Sequence, residues 1–365
     1  MERDVAIAGA GPAGLALAIH CARRGLGTVV LERGALPRDK ACGEGLMPRG
    51  VKQLRALGVV ARLGEADAHP FEGIRYAQEG GDCAEARFPR GAKGLGIRRV
   101  ALSAAMLAEA RAAGAEVRER CGVRGFEVRE GGVAVALDEG ELRARMLVAA
   151  DGLLSPLRRA AGLEVAARGP RRFGLRQHFR VRPWASLVEV HFAEELEAYV
   201  TPAGAGRVGV AFLWEDGRVP GPIDVPALLA RFPALEARVG GAEVDSEPRG
   251  AGPLEQTARA RTAERFALLG DAAGYVDALT GEGLSLAFTC AAALAEVLPA
   301  ALEAGASRVA LAGYERAVER AYAPYVRLSR VMLAIARRPA LRRGVVGFLA
   351  RAPWAFERLL GALAA

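Results

Sequence analysis

The sequence predicts an α/β protein: a three-layer Rossmann-like domain, a mostly β domain inserted into it, and helices at the C-terminal end. Three observations carry this reading. A glycine fingerprint stands in a strand–turn–helix context at the start of the chain. Two turns built from Gly and Asp, Asp151-Gly152 and Gly270-Asp271, each follow an apolar run. Between them, from Phe173 to Trp214, apolar residues recur with period two.

Val5-Ala-Ile-Ala8 is short and wholly apolar, as a buried parallel strand requires. It runs into Gly9-Ala-Gly-Pro-Ala-Gly14 and a helical stretch from Leu15 to Arg24, and a second apolar run, Thr28-Val-Val-Leu31, ends in Glu32 and Arg33. This is G-x-G-x-x-G in its required context: Gly9 permits the tight turn, Gly11 lets the backbone approach a pyrophosphate, and Gly14 lets helix and strand pack closely. The free N–H groups that follow Pro12, with the helix dipole, favour an anion there. Glu32 follows at the distance where a carboxylate reaches ribose hydroxyls. Phe71–Pro89 reads as a hairpin turning at Glu79-Gly-Gly-Asp82, and Val100–Ala113 as a helix. Arg124–Val148 reads as a second hairpin, turning at Glu130-Gly-Gly132 and returning to the core sheet. Phe173, Leu175, Phe179 and Val181 on odd positions, and Val208, Val210, Phe212 and Trp214 on even ones, predict a sheet with one covered face. Pro202-Ala-Gly-Ala-Gly206 is its hairpin turn, Asp224–Arg238 a helix, and Leu328–Arg343 and Gly347–Leu363 two further helices. The expected domains are therefore discontinuous: residues 1–70, 95–165 and 255–300 bind the cofactor, residues 71–94 and 166–254 face the substrate, and residues 301–365 are helical.

A nicotinamide dehydrogenase needs no Gly-Asp turn more than 250 residues after its fingerprint. A flavoprotein does, because it holds both the AMP half and the extended ribityl-flavin half of FAD. Asp151-Gly-Leu-Leu-Ser-Pro-Leu-Arg158, the arginine at the start of the helix after Gly96, and the Gly270-Asp271 segment occur in the order that resembles the FAD-dependent monooxygenase superfamily, the fold of p-hydroxybenzoate hydroxylase, over roughly residues 1 to 300. Lys40-Ala-Cys-Gly-Glu-Gly-Leu-Met-Pro48 and Leu279-Thr-Gly-Glu-Gly283 resemble its geranylgeranyl reductase branch. The resemblance implies an FAD-binding three-layer domain and assigns roles. Gly9, Gly11, Pro12, Ala13 and Gly14 form the pyrophosphate turn, with Glu32 and Arg33 near the adenosine. Arg99 contacts the phosphate or adenine side, with Arg98 as its fallback. Asp151 and Gly152 line the pyrophosphate region, where NAD(P)H approaches, and Arg158 steadies that turn by pairing with a carboxylate. Asp271, after Gly270, holds the ribityl hydroxyls. Gly281, Glu282 and Gly283 lie at the flavin pyrimidine edge, and Cys42 and Gly43 lie near the flavin.

Two departures bear on chemistry. There is no Trp-x-Trp-x-Ile-Pro segment, since Trp184, Trp214 and Trp354 are isolated, so halogenation is disfavoured. The branch's Trp-x-Phe-Pro is also missing: Ala198-Tyr-Val-Thr-Pro202 stands in its place, which puts polyprenyl specificity in doubt. With the Asp151-Gly152 motif intact, the expectation is an NAD(P)H-dependent monooxygenase hydroxylating or epoxidising a hydrophobic aromatic or polyketide-like substrate. The alternative is a geranylgeranyl reductase-like enzyme saturating carbon–carbon double bonds; a remoter one is a flavin-binding protein without turnover. Candidate catalytic residues are Cys42, His178, His191 and Tyr199, the histidines because an imidazole titrates near neutrality.

The 365 residues, 52% of them hydrophobic, suffice for a large core. Five cysteines without C-x-x-C or metal spacing exclude a full disulfide framework within the chain and fit reduced thiols in a cytoplasm. No metal site is expected, no secretory leader, and no apolar run of ~18 residues uncharged enough to cross a bilayer. The net charge of +8 is not accompanied by the interleaved aromatic and basic motif of nucleic-acid binders. The C-terminal helices are expected to close the substrate cavity, with peripheral membrane contact as the sharper reading, because their arginines stand opposite Leu, Phe and Trp. Oligomeric state is not legible.

Overall fold

The fold was obtained as a computed structural model and describes residues 3–167 and 169–364. Its core is an eight-stranded sheet. The strands β8 (Glu116–Arg118), β2 (Thr28–Leu31), β1 (Arg3–Ala8), β11 (Glu141–Ala149) and β20 (Phe266–Leu268) lie side by side and parallel, and β19 (Thr262–Ala263) adds antiparallel at the edge. The central stretches Val5–Ala8, Val29–Leu31, Met146–Ala149 and Phe266–Leu268 are apolar because both faces are covered there. Val5 and Ile7 face the helices α1 (Pro12–Ala22), α3 (Arg99–Ala112) and α7 (Gly283–Glu303). Ala6, Ala8, Val29 and Leu31 face the opposite layer. That layer is the antiparallel hairpin of β9 (Val123–Arg129) and β10 (Gly132–Leu137), which pairs with the first half of β11 and stacks Phe126 on Phe266 at 4.7 Å. The hairpin expected around Gly131 thus forms the third layer.

The helix α7 is long and apolar enough to cross a membrane by length and composition alone. Here it is a core helix, packed against α1, α2 (Pro48–Ala56) and α8 (Ala312–Ala336), and Glu296 interrupts its apolar run.

The second sheet has seven strands in the order β17 (Arg249–Ala251), β13 (Arg172–Phe179), β16 (Val208–Glu215), β15 (Leu196–Pro202), β14 (Val188–Phe192), β5 (Gly73–Gln78) and β6 (Cys83–Arg87). Only the β14–β5 pairing is parallel. The period-two pattern is real, but the expectation of one covered face is corrected: both faces are covered. Val208, Val210, Phe212 and Trp214 pack on α5 (Val225–Leu229) and α6 (Pro233–Val239). The other face closes over the core domain and, towards β5 and β6, lies under α9 (Pro339–Arg351) and α10 (Pro353–Ala364). The polar residues in these strands are not solvated; Arg172, Arg176, Glu189 and Glu197 are buried and ion-paired.

Three short strands, β3 (Gly45–Leu46), β7 (Gly94–Ile97) and β4 (Ala68–Phe71), stitch the two domains, and β12 (Glu164–Val165) pairs with β18 (Thr257–Ala258). The helix α4 (Pro156–Ala160) is capped by the Ser155 hydroxyl. Two expected helices are divided by proline. The Asp224–Arg238 stretch breaks at Pro233 into α5 and α6, and Leu328–Arg343 breaks at Pro339, which starts α9. In both cases proline occupies the first turn, where its missing N–H is harmless.

Candidate functional site

The motifs converge because they all sit at the carboxyl ends of adjacent parallel strands, the edge where open α/β sheets bind ligands. The fingerprint follows β1, Glu32 ends β2, Asp151-Gly152 follows β11, and Gly270-Asp271 follows β20. Gly9 takes φ +105°, and a Cβ there would lie 2.4 Å from the Ala150 carbonyl oxygen. A Cβ at Gly14 would lie 2.1 Å from the Gly9 carbonyl oxygen, so helix and turn close only on glycine. Gly11 differs: a Cβ there meets nothing within 4 Å, so space is left in front of the helix N-terminus. Gly270, more than 250 residues away, packs where a Cβ would touch that of Ala13 at 2.7 Å.

A cavity of about 480 Å³ runs from this turn to the second sheet. Gly11, Pro12, Ala13, Arg33, Cys42 and Gly43 line it. So do Arg99, Asp151, Gly152, Gly270 and Asp271, and, at the start of α7, Gly281 and Gly283. The far end is apolar: Ile74, Tyr76, Val188, Val190 and Leu213 from the sheet, with Met332 from α8.

Four of the residues expected to bind the cofactor do not line the cavity. Gly9 and Gly14 act through packing. The Glu32 carboxylate accepts the Ala10 N–H at 2.9 Å, the Gly34 N–H at 3.0 Å and the Arg38 guanidinium at 2.9 Å, so it braces the fingerprint turn. Glu282 turns off the wall; burial raises its carboxyl to about 7, with Arg49 a minor opposing charge.

The carboxyl group of Asp151 accepts the Leu157 N–H at 3.2 Å with one oxygen, while the other is buried without a partner among the described residues. Burial raises its pKa. Arg158 is fully buried. Its guanidinium donates to the carbonyls of Leu153 and Ala272 at 3.1 Å each, to the Gln256 amide oxygen at 2.6 Å and to Glu164 at 3.4 Å. The carboxylate partner expected for it is present, but its larger effect is to tie the Asp151 turn to the Asp271 turn. The Tyr322 hydroxyl, from α8, donates to the carbonyls of Gly270 and Gly274 at 3.2 and 3.1 Å and fixes the second turn from behind.

Of the catalytic candidates, Cys42 and Tyr199 line the cavity and the two histidines do not. His191 lies on the opposite face of the sheet, 3.0 Å from Glu189 and edge-on to Phe232. His178 is sealed under the Cys42 loop. Its Nε2 is 2.6 Å from Glu44 and its Nδ1 is 2.8 Å from the Ser246 hydroxyl, and burial lowers its pKa against the pull of Glu44. The hydroxyl of Tyr199 donates to Glu197 at 3.0 Å, and Glu197 is paired with Arg172, itself 2.8 Å from Asp277. Burial raises Asp277 to about 6 and holds the Tyr199 phenol well above its ordinary value.

Two residues were missed. Glu44 lines the cavity at φ +60°, accepts the Arg99 N–H at 2.7 Å at the start of α3, and holds His178. An acid between glycines at 43 and 45 was the available signal. Arg98, the fallback for Arg99, is instead buried beside Glu44 and His178. Lys40 lines the cavity with Nζ 2.9 Å from where a Cβ at Gly152 would stand.

The residues present fit FAD. The space before Gly11 suits a pyrophosphate, the unpartnered Asp151 oxygen awaits a donor, and Asp271 faces the same cavity as the fingerprint. Comparison with known proteins agrees. A family model described as an FAD binding domain matches residues 2–329. The menaquinone reductase of Mycobacterium tuberculosis is 31% identical over 323 residues, covering 81% of this chain and 76% of that protein. Digeranylgeranylglycerophospholipid reductase 1 of Methanopyrus kandleri is 31% identical over 329 residues, covering 83% and 82%. Among solved structures, halogenase PltM in complex with phloroglucinol and FAD superimposes with a TM-score of 0.80 at 20% identity, covering 99% of this chain and 85% of that one. The Diels-Alderase PyrE3 of pyrroindomycin biosynthesis gives 0.77 at 25% identity, covering 98% and 79%. The likeness to the halogenase is one of fold.

Proposed function

The chain belongs to the FAD-dependent monooxygenase superfamily, in its geranylgeranyl reductase-like branch, and from that membership we propose that this FAD-dependent oxidoreductase saturates carbon–carbon double bonds of a long, apolar, isoprenoid-like substrate. This reverses the order of the two readings expected from sequence. The observation that carries it is the far end of the cavity: its wall is mostly aliphatic and aromatic, with Arg176 and Thr201 the polar side chains added from the sheet, and neither His178 nor His191 stands on it. Deprotonating a phenol calls for a base beside the substrate. Saturating an alkene calls for a shaped apolar wall and, with the hydride, one proton, which the Cys42 thiol or the Tyr199 hydroxyl on the cavity wall would supply.

When bound, FAD supplies the two-electron hydride chemistry. The protein does the rest. The N–H groups after Gly11 and the dipole of α1 would hold the FAD pyrophosphate. Asp271 would bind its ribityl hydroxyls, and the N–H groups at the start of α7, from Gly283, would hold the flavin's pyrimidine edge. Ile74, Tyr76, Val190 and Met332 hold the substrate and exclude water. Of the four catalytic candidates, Cys42 and Tyr199 stand on the wall; Tyr199, already donating to Glu197, is the better placed to orient a polar substrate end. NAD(P)H is the proposed electron source, approaching by the Asp151-Gly152 turn.

The test is a mass measurement. The flavin-loaded enzyme is reduced anaerobically with NADPH, or with dithionite if NADPH fails, in the presence of menaquinone or a geranylgeranyl lipid. Saturation adds two hydrogens per double bond. If the substrate is unchanged without oxygen, yet gains an oxygen atom in air with substrate-stimulated O2 uptake, the second reading, oxygenation, replaces this one; the intact Asp151-Gly152 turn on the cavity wall is what favours it. A purified protein that binds no flavin refutes both.

A further inference from the structure

The positive charge of this chain is concentrated in one place. From Arg327 to Ala364 there are eight arginines and a single acid, Glu357, so this stretch holds +7 of the net +8. It comprises the end of α8 with α9 and α10. Arg342 is spent internally, donating to Gln78 and to the carbonyls of Ala193 and Ala336, and Arg337 pairs with Glu215. The other six are exposed.

These arginines share their face with large apolar side chains. On α9, Leu341, Gly344, Phe348 and Arg351 are exposed and recur three and four residues apart, on one stripe. On α10, Trp354 and Arg358 stand one turn apart, as do Arg327 and Val331 on α8, and Arg338 is exposed at the junction of α8 and α9. Phe348 is 56% and Trp354 67% exposed. The inner sides of the helices are satisfied: Val346, Leu349, Phe356 and Leu360 are buried with Phe71, Phe88 and Phe192. The exposed aromatics are therefore not the spill of an unfinished core.

A face that is apolar and strongly positive suits an apolar medium with an anionic boundary. A second copy of the chain would bring the same charge against it, and nucleic acid would leave the aliphatic stripe without a partner. We propose that the outer face of α8, α9 and α10 docks on a bilayer surface rich in anionic lipid, with Phe348 and Trp354 entering the headgroup boundary and the arginines pairing with lipid phosphates. Met332, beside Val331 on α8, lines the cavity, so a single helix lies between the docking face and the cavity.

The flavin-loaded full chain is floated with vesicles of phosphatidylcholine alone or with about 30 mol% phosphatidylglycerol, at low and high salt. The expected result is flotation with the anionic vesicles only, weakening as salt rises. Removing apolar anchors in Phe348→Ser/Trp354→Ser is expected to lower partitioning at least tenfold. Arg343→Gln/Arg351→Gln/Arg358→Gln is expected to lower it about a hundredfold, about fivefold per charge. Both variants are expected to keep their flavin spectrum and thermal midpoint, since none of these residues lines the cavity. The proposal is overturned if the unaltered protein does not float with anionic vesicles, if both variants float as it does, or if sedimentation shows a dimer that Phe348→Ser/Trp354→Ser dissociates while vesicles bind nothing.

Discussion

Replacing Arg158 with Met would test the claim that one guanidinium holds the two halves of the cofactor site in register. Methionine fills similar space, so little packing is lost. What is lost is the donor set. The carbonyls of Leu153 and Ala272 and the Gln256 amide oxygen would be left without their partner, while Glu164, partly exposed, could turn to water. A buried acceptor stranded in this way costs roughly 1–3 kcal/mol. Two to three of them give a loss of about 2–9 kcal/mol, a large part of the ~5–15 kcal/mol by which a domain is stable. The turns at Asp151 and Asp271 would also lose their mutual tie, so FAD affinity should fall by about tenfold or more. Arg158→Lys keeps the charge but not the fork, and should fall between the two. Urea denaturation and flavin fluorescence titration read the two effects. If Arg158→Met unfolds within ~1 kcal/mol of the unaltered protein and binds FAD within about twofold, the bracing argument is wrong.

The fingerprint glycines should separate by function. Gly11→Val faces open space and should fold normally but lose FAD binding by at least about tenfold, whereas Gly14→Ala drives a methyl into the Gly9 carbonyl and should cost about 1–3 kcal/mol of stability; calorimetry with and without FAD distinguishes them. Glu282, raised by burial from 4.5 to about 7, takes up a proton on folding. Its contribution is fully present below the unfolded value of 4.5 and is lost as pH rises through 7, about 3 kcal/mol in all at ~1.4 kcal/mol per unit. Chemical denaturation at several pH values should show that slope in the unaltered protein and not in Glu282→Gln; parallel profiles would rule it out. His191→Asn, on the face turned away from the cavity, should leave turnover within about twofold, and a loss beyond about a hundredfold would restore that histidine as a catalytic candidate.

The cofactor half of the fold was legible because its signals are backbone requirements. Gly9 and Gly14 report contacts that only hydrogen fits, and such contacts leave their mark in sequence wherever they occur. The substrate half was less so. Period two assigns a residue to a face but not to a depth along the strand; His178 shares the cavity face with Arg176 yet ends beneath the Cys42 loop. The second covered face was hidden because Arg172 and Glu197 look solvated until their partners, 25 and 105 residues away for Arg172, are known. Glu32 stood at the right spacing, but its nearest donors proved to be the Ala10 N–H of the fingerprint turn and the Gly34 N–H of its own. The breaks at Pro233 and Pro339 were readable and should have divided the helices.

The pairing of β11 with β20 joins Ala149 to Leu268. During synthesis, the edge of β11 must wait for a strand that is not yet made. At ~5–20 residues per second, the intervening ~120 residues take ~6–24 s to leave the ribosome. For that interval a run of aliphatic backbone stands open to other chains, and the cavity lacks the wall that carries Gly270 and Asp271. Vitamin supply cannot rescue this early stage, because the ligand can stabilise only what has already closed. Soluble yield should therefore respond more to translation speed and to chaperones that shield extended segments than to riboflavin in the growth medium.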